Sequence, residues 1–550
     1  MRPLSAIIFL TTAVHAQFLP GVDPRVPEAK PVESLPPVRK SEPSAGAGGI
    51  LCHQLKEIRL ETRFGGELTS LGQGLSAASD LYLPSPKTLG GKLAPWRGKS
   101  LTTGDLVAIA DTILMHYDTE GYPVAGIDVP EQDLSSGRLR FVVEIGRIGK
   151  VGVSRPKYGD PKALVRGLRL RSGAILRRAE IDEQMAWYGR SVFRRPQLFV
   201  SPGTEPATAD LLIGLAEKKP WRVTLGYENS GPTLLGLDRF ILGVAGMTEN
   251  EHVLAYQALV GAPVSSLQAH ALSWEMPFQR LHQTMQLDAV YAEVLTKSDL
   301  SGLPVENRGT SWSLAAIQKL SLPAIGKWRQ RIAAGLEIKA TDQFVLFGGA
   351  QFSPGGVRLV DAKVTYAFSR DWDNGGVAVE ASGLGSPGGL GSGNDDADFT
   401  AYDPQADASY LIGRLSGQAW WSPVGDWRLA LRSAAQVADS RLLPVEQFAA
   451  GGYQTVRGVA EREYFADGGS QSSLELYTPE FTWANRYQVR VLGFYDQAWL
   501  KSRGANADFL AGAGVGVRLK LMEHADLRAD HGWRLDDHGS QTHVGLQISF

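Results

Sequence analysis

The sequence of 550 residues is poor in cysteine, in net charge and in long apolar runs. Cys52 is its single cysteine, which excludes a disulfide framework within the chain, and such a lone thiol is typical of an incidental buried or linker residue. The net charge of −2 gives no electrostatic basis for a nucleic-acid partner. After residue 16 there is no run of about 18 apolar residues, so no membrane-spanning helix is predicted.

The sequence also lacks the short motifs of common catalytic and cofactor sites. It contains no His-Glu-x-x-His, no Cys-x-x-Cys and no Walker lysine motif. Gly383, Gly385 and Gly388 match Gly-x-Gly-x-x-Gly, but a dinucleotide site needs a strand–turn–helix context. This match contains a proline and falls in a predicted external loop. No order of Ser, His and Asp residues stands out, so we predict a protein that is not an enzyme and has no cofactor.

One polar segment, residues 530–539, holds side chains of the types that ligate metals. They are His531, Asp536, Asp537 and His538. We place this segment in the last external loop of a barrel, where a solvated polar loop is the better interpretation. No metal site is therefore predicted.

The first 50 residues read as an export signal followed by a linker. Arg2 precedes an apolar run at residues 6–14, and a small-residue pattern ends at Ala16, which is typical of a secretory signal peptide over residues 1–16. The alternative is a short buried helix. Residues 17–50 carry seven prolines, which favour an extended linker over a domain. We expect an exported bacterial protein that is periplasmic, secreted or in the outer membrane.

Residues 51–146 and 147–218 each read as a small α+β domain. In the first, residues 101–121 have a helical apolar period, with Thr103 or Asp105 as candidate caps and Gly121 at the end. Strands are predicted before and after this helix. The second domain repeats the order strand, two helices and two strands, so the pair forms an internal repeat in pattern.

From Trp221 onward the pattern changes to strands in which apolar and polar residues alternate. In residues 541–550, for example, Val544, Leu546 and Ile548 share one face, while His543 and Gln547 share the other. This period fits a transmembrane β-barrel with an apolar outer face and a polar lumen; the alternative is a soluble β-sandwich. We predict sixteen strands: 221–229, 238–248, 251–261, 267–277, 282–294, 309–321, 328–340, 357–371, 375–383, 406–420, 426–438, 471–482, 486–500, 507–520, 523–532 and 541–550.

The lengths of the connections support a barrel over residues 219–550. If the chain enters from the periplasm, connections after odd strands lie outside. The predicted gaps after strands 5, 7, 9, 11 and 15 are long, whereas those after strands 4, 6, 8, 10, 12 and 14 are a few residues each. Short periplasmic turns and longer external loops are the rule for bacterial barrels.

Four segments resemble the two-partner secretion transporters of the ShlB/FhaC/HecB type, which have two POTRA domains before a sixteen-strand barrel. "GYPVAGIDVPEQDLSSGRLRFVVEIGRIGKV" is similar to the end of the first POTRA domain. The segment from "RRPQLFVSPG" to "LLGLDRF" is similar to the end of the second and the first barrel strand. "EQFAAGGYQTVRGVAEREY" resembles the external loop that folds back into the pore, and "VLGFYDQAWL" resembles its partner strand.

This resemblance implies an outer-membrane transporter with periplasmic N-terminal domains. It would capture an unfolded partner, a large β-helical exoprotein such as a haemolysin or an adhesin, and secrete it without nucleotide hydrolysis. Outer-membrane lipid would be the other partner. The site residues implied are Val456, Arg457 and Gly458 on the loop and Asp496 on the barrel wall. Gly493 and Phe494 belong to the supporting wall motif.

Strand alternation places Asp496 on the lumenal face, so Arg457 on an inward loop can meet it as a charge-assisted, bidentate pair. The alternative for Arg457 alone is a solvated loop charge. Val459 stands where the family usually has an aromatic residue, and Ala498 stands where glycine is common. The family usually also has a pore-plugging helix after the signal peptide, and the prolines of residues 17–50 argue against one here.

Two other functions compete with secretion. A BamA-like insertase shares the superfamily and the Val-Arg-Gly loop, but two N-terminal units, where such a protein has about five, argue against it. A passive porin or a surface adhesin is the other class, and a porin does not need the periplasmic repeats.

Overall fold

The computed structural model describes residues 49–300, 303–347, 350–484, 486–522 and 524–550. The predicted signal peptide and all but the last two residues of the predicted linker lie outside these ranges. The chain divides into two compact units, one ending at Lys218 and the other beginning at Lys219. No helix among the described residues is both long enough and apolar enough to cross a membrane.

The first α+β domain is built around a five-stranded sheet in the order β3 (Leu68–Gly72), β4 (Leu75–Ala78), β2 (Glu57–Glu61), β7 (Arg138–Ile145) and β6 (Ala125–Asp128). Its apolar core includes Leu60, Ile109, Ile113 and Phe141, all fully buried. The strands and helices are β1 (Ile50–Cys52), β2 (Glu57–Glu61), β3 (Leu68–Gly72), β4 (Leu75–Ala78), α1 (Pro86–Leu93), β5 (Leu101–Thr102), α2 (Thr103–Thr119), β6 (Ala125–Asp128) and β7 (Arg138–Ile145).

The cap of α2 differs from the prediction by one residue. The cap is Thr102, whose hydroxyl accepts a hydrogen bond from the Asp105 backbone amide at 3.2 Å, while the Asp105 carboxylate accepts one from the Thr102 amide at 2.9 Å. This reciprocal arrangement is a capping box. The hairpin β3–β4 and the helix α1 were not predicted from the sequence, because their short segments carry neither a clear helical period nor clear alternation.

The second α+β domain has the predicted order of one strand, two helices and two strands. These are β8 (Arg147–Val153), α3 (Pro161–Arg166), α4 (Arg178–Tyr188), β9 (Arg194–Pro202) and β10 (Thr208–Glu217). The sheet order is β8-β10-β9, with β8 and β10 parallel. Backbone bonds from Ile148 to Ala174 and from Gly173 to Ile148 cover part of the outer edge of β8. The edge of β9 is therefore the more open one.

The second unit is a closed antiparallel barrel, which confirms the predicted fold class. The segments β24 (Gly468–Tyr477) and β25 (Phe481–Trp483) both pair with β26 (Tyr487–Lys501) and form one interrupted strand, so the barrel has sixteen strands. The first strand, β11 (Trp221–Glu228), pairs with the last, β29 (Ser540–Ser549), and closes the barrel. Its segments are β11 (Trp221–Glu228), β12 (Arg239–Met247), β13 (Val253–Gly261), β14 (Leu267–Phe278), β15 (Gln283–Leu300), β16 (Leu303–Ile325), β17 (Trp328–Phe347), β18 (Ala350–Trp372), β19 (Gly375–Pro387), β20 (Ser409–Trp421), β21 (Arg428–Ala438), β24 (Gly468–Tyr477), β25 (Phe481–Trp483), β26 (Tyr487–Lys501), β27 (Ala507–Leu521), β28 (Ala525–Arg534) and β29 (Ser540–Ser549).

Four predicted external loops are partly strand. The strands β15 to β18 have 18 to 23 residues and continue into segments that were predicted as loops after the fifth and seventh strands. Gly383 and Gly385 lie in β19 and residues 530–534 lie in β28, whereas Gly388 and residues 535–539 lie in the connections after these strands. Strand pairing is fixed by backbone hydrogen bonds, and a glycine-rich or polar segment can satisfy them without apolar alternation.

Candidate functional site

The connection between β21 and β24, residues 439–467, folds into the barrel, and we call it the pore loop. Its two short strands, β22 (Phe448–Ala450) and β23 (Tyr464–Ala466), pair as an antiparallel hairpin. Between them lies the tip, whose residues Val456, Arg457 and Gly458 are all buried. The tip lies against the inner faces of β24 and β26 to β28, as its contacts below establish.

Glycines on both sides allow the tip to approach the wall closely. Gly458 has φ +100°, which L side chains rarely adopt, and a Cβ on it would lie 2.9 Å from the Arg534 backbone nitrogen. A Cβ on Gly512 of β27 or Gly532 of β28 would meet the backbone of Arg457 at 2.1 and 2.6 Å. The loop backbone therefore packs on a strip of wall that has no side chains.

Arg457 is fully buried and forms a two-bond fork with Asp496 of β26. Its Nε donates to Oδ2 at 2.7 Å and its Nη2 donates to Oδ1 at 2.8 Å. The Arg457 backbone amide donates to the same Oδ2 at 3.1 Å. Asp496 is also fully buried. The bidentate geometry fixes both the position and the plane of the guanidinium group.

Further wall residues surround the same guanidinium group. Nη1 lies 2.8 Å from a carboxylate oxygen of Glu475 and 3.4 Å from one of Asp530, and Nη2 donates to the Ser473 hydroxyl at 3.1 Å. The guanidinium carbon lies 3.5 Å from the centre of the Phe494 ring, a cation–π contact.

The charge at the tip is balanced by its neighbours. Burial by itself lowers the pKa of the Arg457 guanidinium, but the hydrogen bonds and negative charge of Asp496, with Glu475 and Asp530, raise it above its ordinary value. Arg518 pairs with Asp530 at 3.0 Å, and Arg432 lies 3.5 Å from Glu475. Three cations thus face three carboxylates, so the tip holds a permanent positive charge in a compensated site.

An apolar cluster packs around the tip. Val456 and Val459 are buried in it together with Ala498 and Leu500 of β26 and Leu510 of β27. Val459 and Ala498, the two positions that depart from the family pattern, therefore belong to one cluster.

The sequence-derived residues occupy different positions relative to this site. Arg457 and Asp496 are in direct contact, and Phe494 stacks on the guanidinium. Gly493 faces the outside of the barrel, where a Cβ would meet nothing within 4 Å. The sequence reasoning did not identify Glu475 and Asp530. Strand alternation could have identified them, because it places both side chains on the lumenal face of their strands.

The polar residues 530–539 are partly in this site. Asp530 belongs to the Arg457 network, His531 contacts the Thr542 hydroxyl at 2.8 Å, and Asp536 pairs with Arg534 at 3.0 Å. Within the described residues, no group of three His, Cys, Asp or Glu side chains is arranged to hold a metal ion.

Comparison with protein families gives two matches. Residues 208–519 match the haemolysin secretion/activation protein ShlB/FhaC/HecB, and residues 84–146 match the POTRA domain of ShlB type. The first match covers more than half of the chain.

Individual relatives of the chain are outer membrane transporters. The outer membrane transporter CdiB-2 of Burkholderia pseudomallei is 26% identical over 211 residues, which is 36% of this chain and 34% of that protein. The outer membrane transporter CdiB of Escherichia coli is 23% identical over 439 residues, which is 74% of this chain and 69% of that protein.

Solved structures show the same fold. CdiB from Escherichia coli superposes with a TM-score of 0.76 at 19% identity, and CdiB from Acinetobacter baumannii with 0.68 at 17% identity. Each comparison covers 94% of both chains.

Proposed function

The chain belongs to the ShlB/FhaC/HecB family of haemolysin secretion/activation proteins, and we propose that this outer-membrane transporter captures one large unfolded protein in the periplasm and secretes it. Residues 51–146 and 147–218 would act as two POTRA domains and residues 219–550 as the pore. The partner would be a β-helical exoprotein, such as a haemolysin or an adhesin, and outer-membrane lipid would surround the barrel. Cleavage of a signal peptide at residues 1–16 belongs to the same proposal.

The open edge of β9 is the observation that carries partner capture. This strand pairs only with β10 in its sheet, and its residues 197–201 lie between two prolines. Phe199, 55% exposed, lies over Gly214, and Leu212 beside it is 47% exposed. An edge with unpaired backbone groups next to exposed apolar side chains suits addition of an extended strand.

Transport then needs no nucleotide. The sequence has no Walker lysine motif, and folding of the partner outside the cell removes unfolded chain from the pore. That folding would supply the free energy for net movement. The pore loop, held by Arg457 and Asp496, would keep the lumen in the conformation that admits the partner.

Capture can be tested with a charge placed at the edge. Phe199→Glu in the full-length protein should weaken binding of an N-terminal fragment of the partner exoprotein by roughly tenfold or more, because the contact of one apolar ring is lost. Phe64→Glu is the matched control, since Phe64 is 92% exposed and lies in the first domain. Equal binding by the Phe199→Glu variant and the wild type would reject capture at β9.

A second measurement separates secretion from barrel assembly. Deleting residues 55–218 should abolish export of the exoprotein while the barrel still inserts and other outer-membrane proteins keep their abundance. If export continues, the N-terminal domains have no role in capture. If other barrels disappear from the outer membrane, an insertase function is supported instead.

A further inference from the structure

We propose that Glu446 is a positioning residue that fixes the base of the pore loop to the barrel wall separately from Arg457 at the tip. This inference rests on the proposed role of the pore loop in secretion. It assigns a function to a second buried ionic group, made by different side chains on different strands.

Glu446 precedes β22 by two residues, and its exposed fraction is 1%. Its carboxylate accepts hydrogen bonds from Lys339 of β17 and, at 2.7 Å, from Nη2 of Arg414 of β20. Its backbone carbonyl accepts a hydrogen bond from Gln436 of β21 at 2.7 Å. Three strands of the wall therefore hold one loop residue.

The cation side of this contact is itself fixed. Lys339 Nζ lies 3.2 Å from Asp361 and 3.2 Å from Glu337. Asp361 accepts a hydrogen bond from the Tyr410 hydroxyl at 2.6 Å. A buried charge needs several partners to offset its desolvation, and Lys339 has them before Glu446 is counted. Glu446 thus joins a preformed group of charged side chains on the wall.

Apolar packing adds a second component at the base. Leu442 and Leu443 of the pore loop are buried against Phe399, which lies on α5 (Asp396–Tyr402) in the connection between β19 and β20. The same cluster includes Leu359 and Ile412 of the wall. The base of the pore loop is therefore also the support for a neighbouring loop.

The base and tip contacts use no common strand. The base contact lies on β17, β18, β20 and β21, whereas Arg457 contacts β24, β26 and β28. Ten residues separate Glu446 from Arg457. Because neither network shares a side chain with the other, release of the tip leaves the base contact intact, and the reverse also holds.

Glu446→Gln weakens the base contact without creating an unpaired buried cation. Lys339 keeps Asp361 and Glu337, and Arg414 keeps its 2.8 Å bond to Gln436. The amide nitrogen of glutamine is a donor, so it faces either Lys339 or Arg414, which are also donors only. One of the two hydrogen bonds to the side chain of residue 446 is therefore lost, although the side chain keeps its size.

Thiol labelling at two buried loop positions measures base and tip separately. In a Cys52→Ser background, Leu443→Cys reports the base and Val459→Cys reports the tip; the native side chains are 4% and 1% exposed. Labelling with a soluble maleimide in the full-length protein should become about tenfold faster at the base reporter in Glu446→Gln. The tip reporter should be unchanged. Arg457→Ala should give the opposite pattern.

Three controls make the outcome decisive. Glu306→Gln, which alters an ion pair of β16 with Lys297 at 3.6 Å, should change neither reporter. Heat-modifiable mobility on gels verifies a folded barrel, and Glu446→Asp, which keeps the charge, should restore slow labelling in part. The proposal is overturned if Glu446→Gln leaves the base reporter slow, or if it accelerates both reporters equally. Labelling does not depend on export, so failure of secretion by the unmodified protein would reject only the proposed function.

Discussion

Replacing Arg457 by alanine tests the tip contact most directly. The change removes both bonds of the fork to Asp496 and leaves that buried carboxylate without its guanidinium partner. Breaking a buried pair by removing one partner costs about 3–5 kcal/mol. Arg518 and Arg432 remain beside Asp530 and Glu475, so the cost falls mainly on Asp496.

The barrel itself should survive this change, because its strands are held by their own backbone ladder. The pore loop can leave the wall and let water reach Asp496, so the cost appears as an increased population of the released loop. A loss of about 3–5 kcal/mol corresponds to roughly a 10²- to 4 × 10³-fold increase in that population. We therefore expect folded barrels in the outer membrane and a strong fall in exported partner.

A double-mutant cycle separates the pair from its surroundings. Arg457→Ala with Asp496→Ala should be less damaging to loop position than the two single losses added together, because no unpaired carboxylate is left buried. Export is measured in culture medium, and barrel folding by heat-modifiable mobility. Normal export by Arg457→Ala with a folded barrel would remove the pair from the mechanism, and strict additivity would show that the two groups act independently.

Three further predictions follow from local geometry. Gly458→Ala should reduce export from a folded barrel, because φ +100° and a 2.9 Å approach to the wall leave no room for a Cβ; export at the wild-type level would contradict this. Val459→Tyr should speed thiol labelling elsewhere on the tip, and adding Ala498→Gly should slow it again, because both side chains occupy one buried cluster; no rescue would show that they do not compete for space. Hydrogen bonds from Thr102 lower the pKa of Asp105, so its stabilising effect is present above the ordinary pKa of an aspartate and is lost as the pH falls through the folded-state pKa. Asp105→Asn should thus lower the unfolding free energy of the first domain, measured by urea denaturation at pH 7, by about 1 kcal/mol. The difference from the wild type should shrink below a pH of about 4. A difference that does not change with pH would show that the charge of Asp105 does not contribute.

The strand plan of the barrel follows from alternation because each strand has one face toward an apolar environment and one toward the lumen. The ends of β15 to β18 do not follow from it, since a hairpin beyond the apolar layer needs backbone pairing and not an apolar face. The prediction therefore identified the number of strands and underestimated the length of four of them.

In the site, too, strand alternation determines some features and packing between strands determines others. Parity along β26 predicted that Asp496 faces the lumen, and parity along β24 and β28 gives Glu475 and Asp530 the same orientation. Parity does not give height along the barrel axis, however, and it is the register between strands that brings these three carboxylates to one guanidinium. That register pairs Asp496 with Ser473 of β24 and with Gly512 of β27.

Packing around the tip gives a physical reason for the departures at Val459 and Ala498. A family-like aromatic residue at 459 would have to share the buried cluster with the methyl group of Ala498, whereas glycine at 498 would leave more space. A smaller side chain on the loop is thus offset only in part by a larger one on the wall. Read separately along the sequence, the two substitutions are unrelated exceptions 39 residues apart. In the folded barrel both side chains are buried in one apolar cluster, Val459 from the loop and Ala498 from the wall.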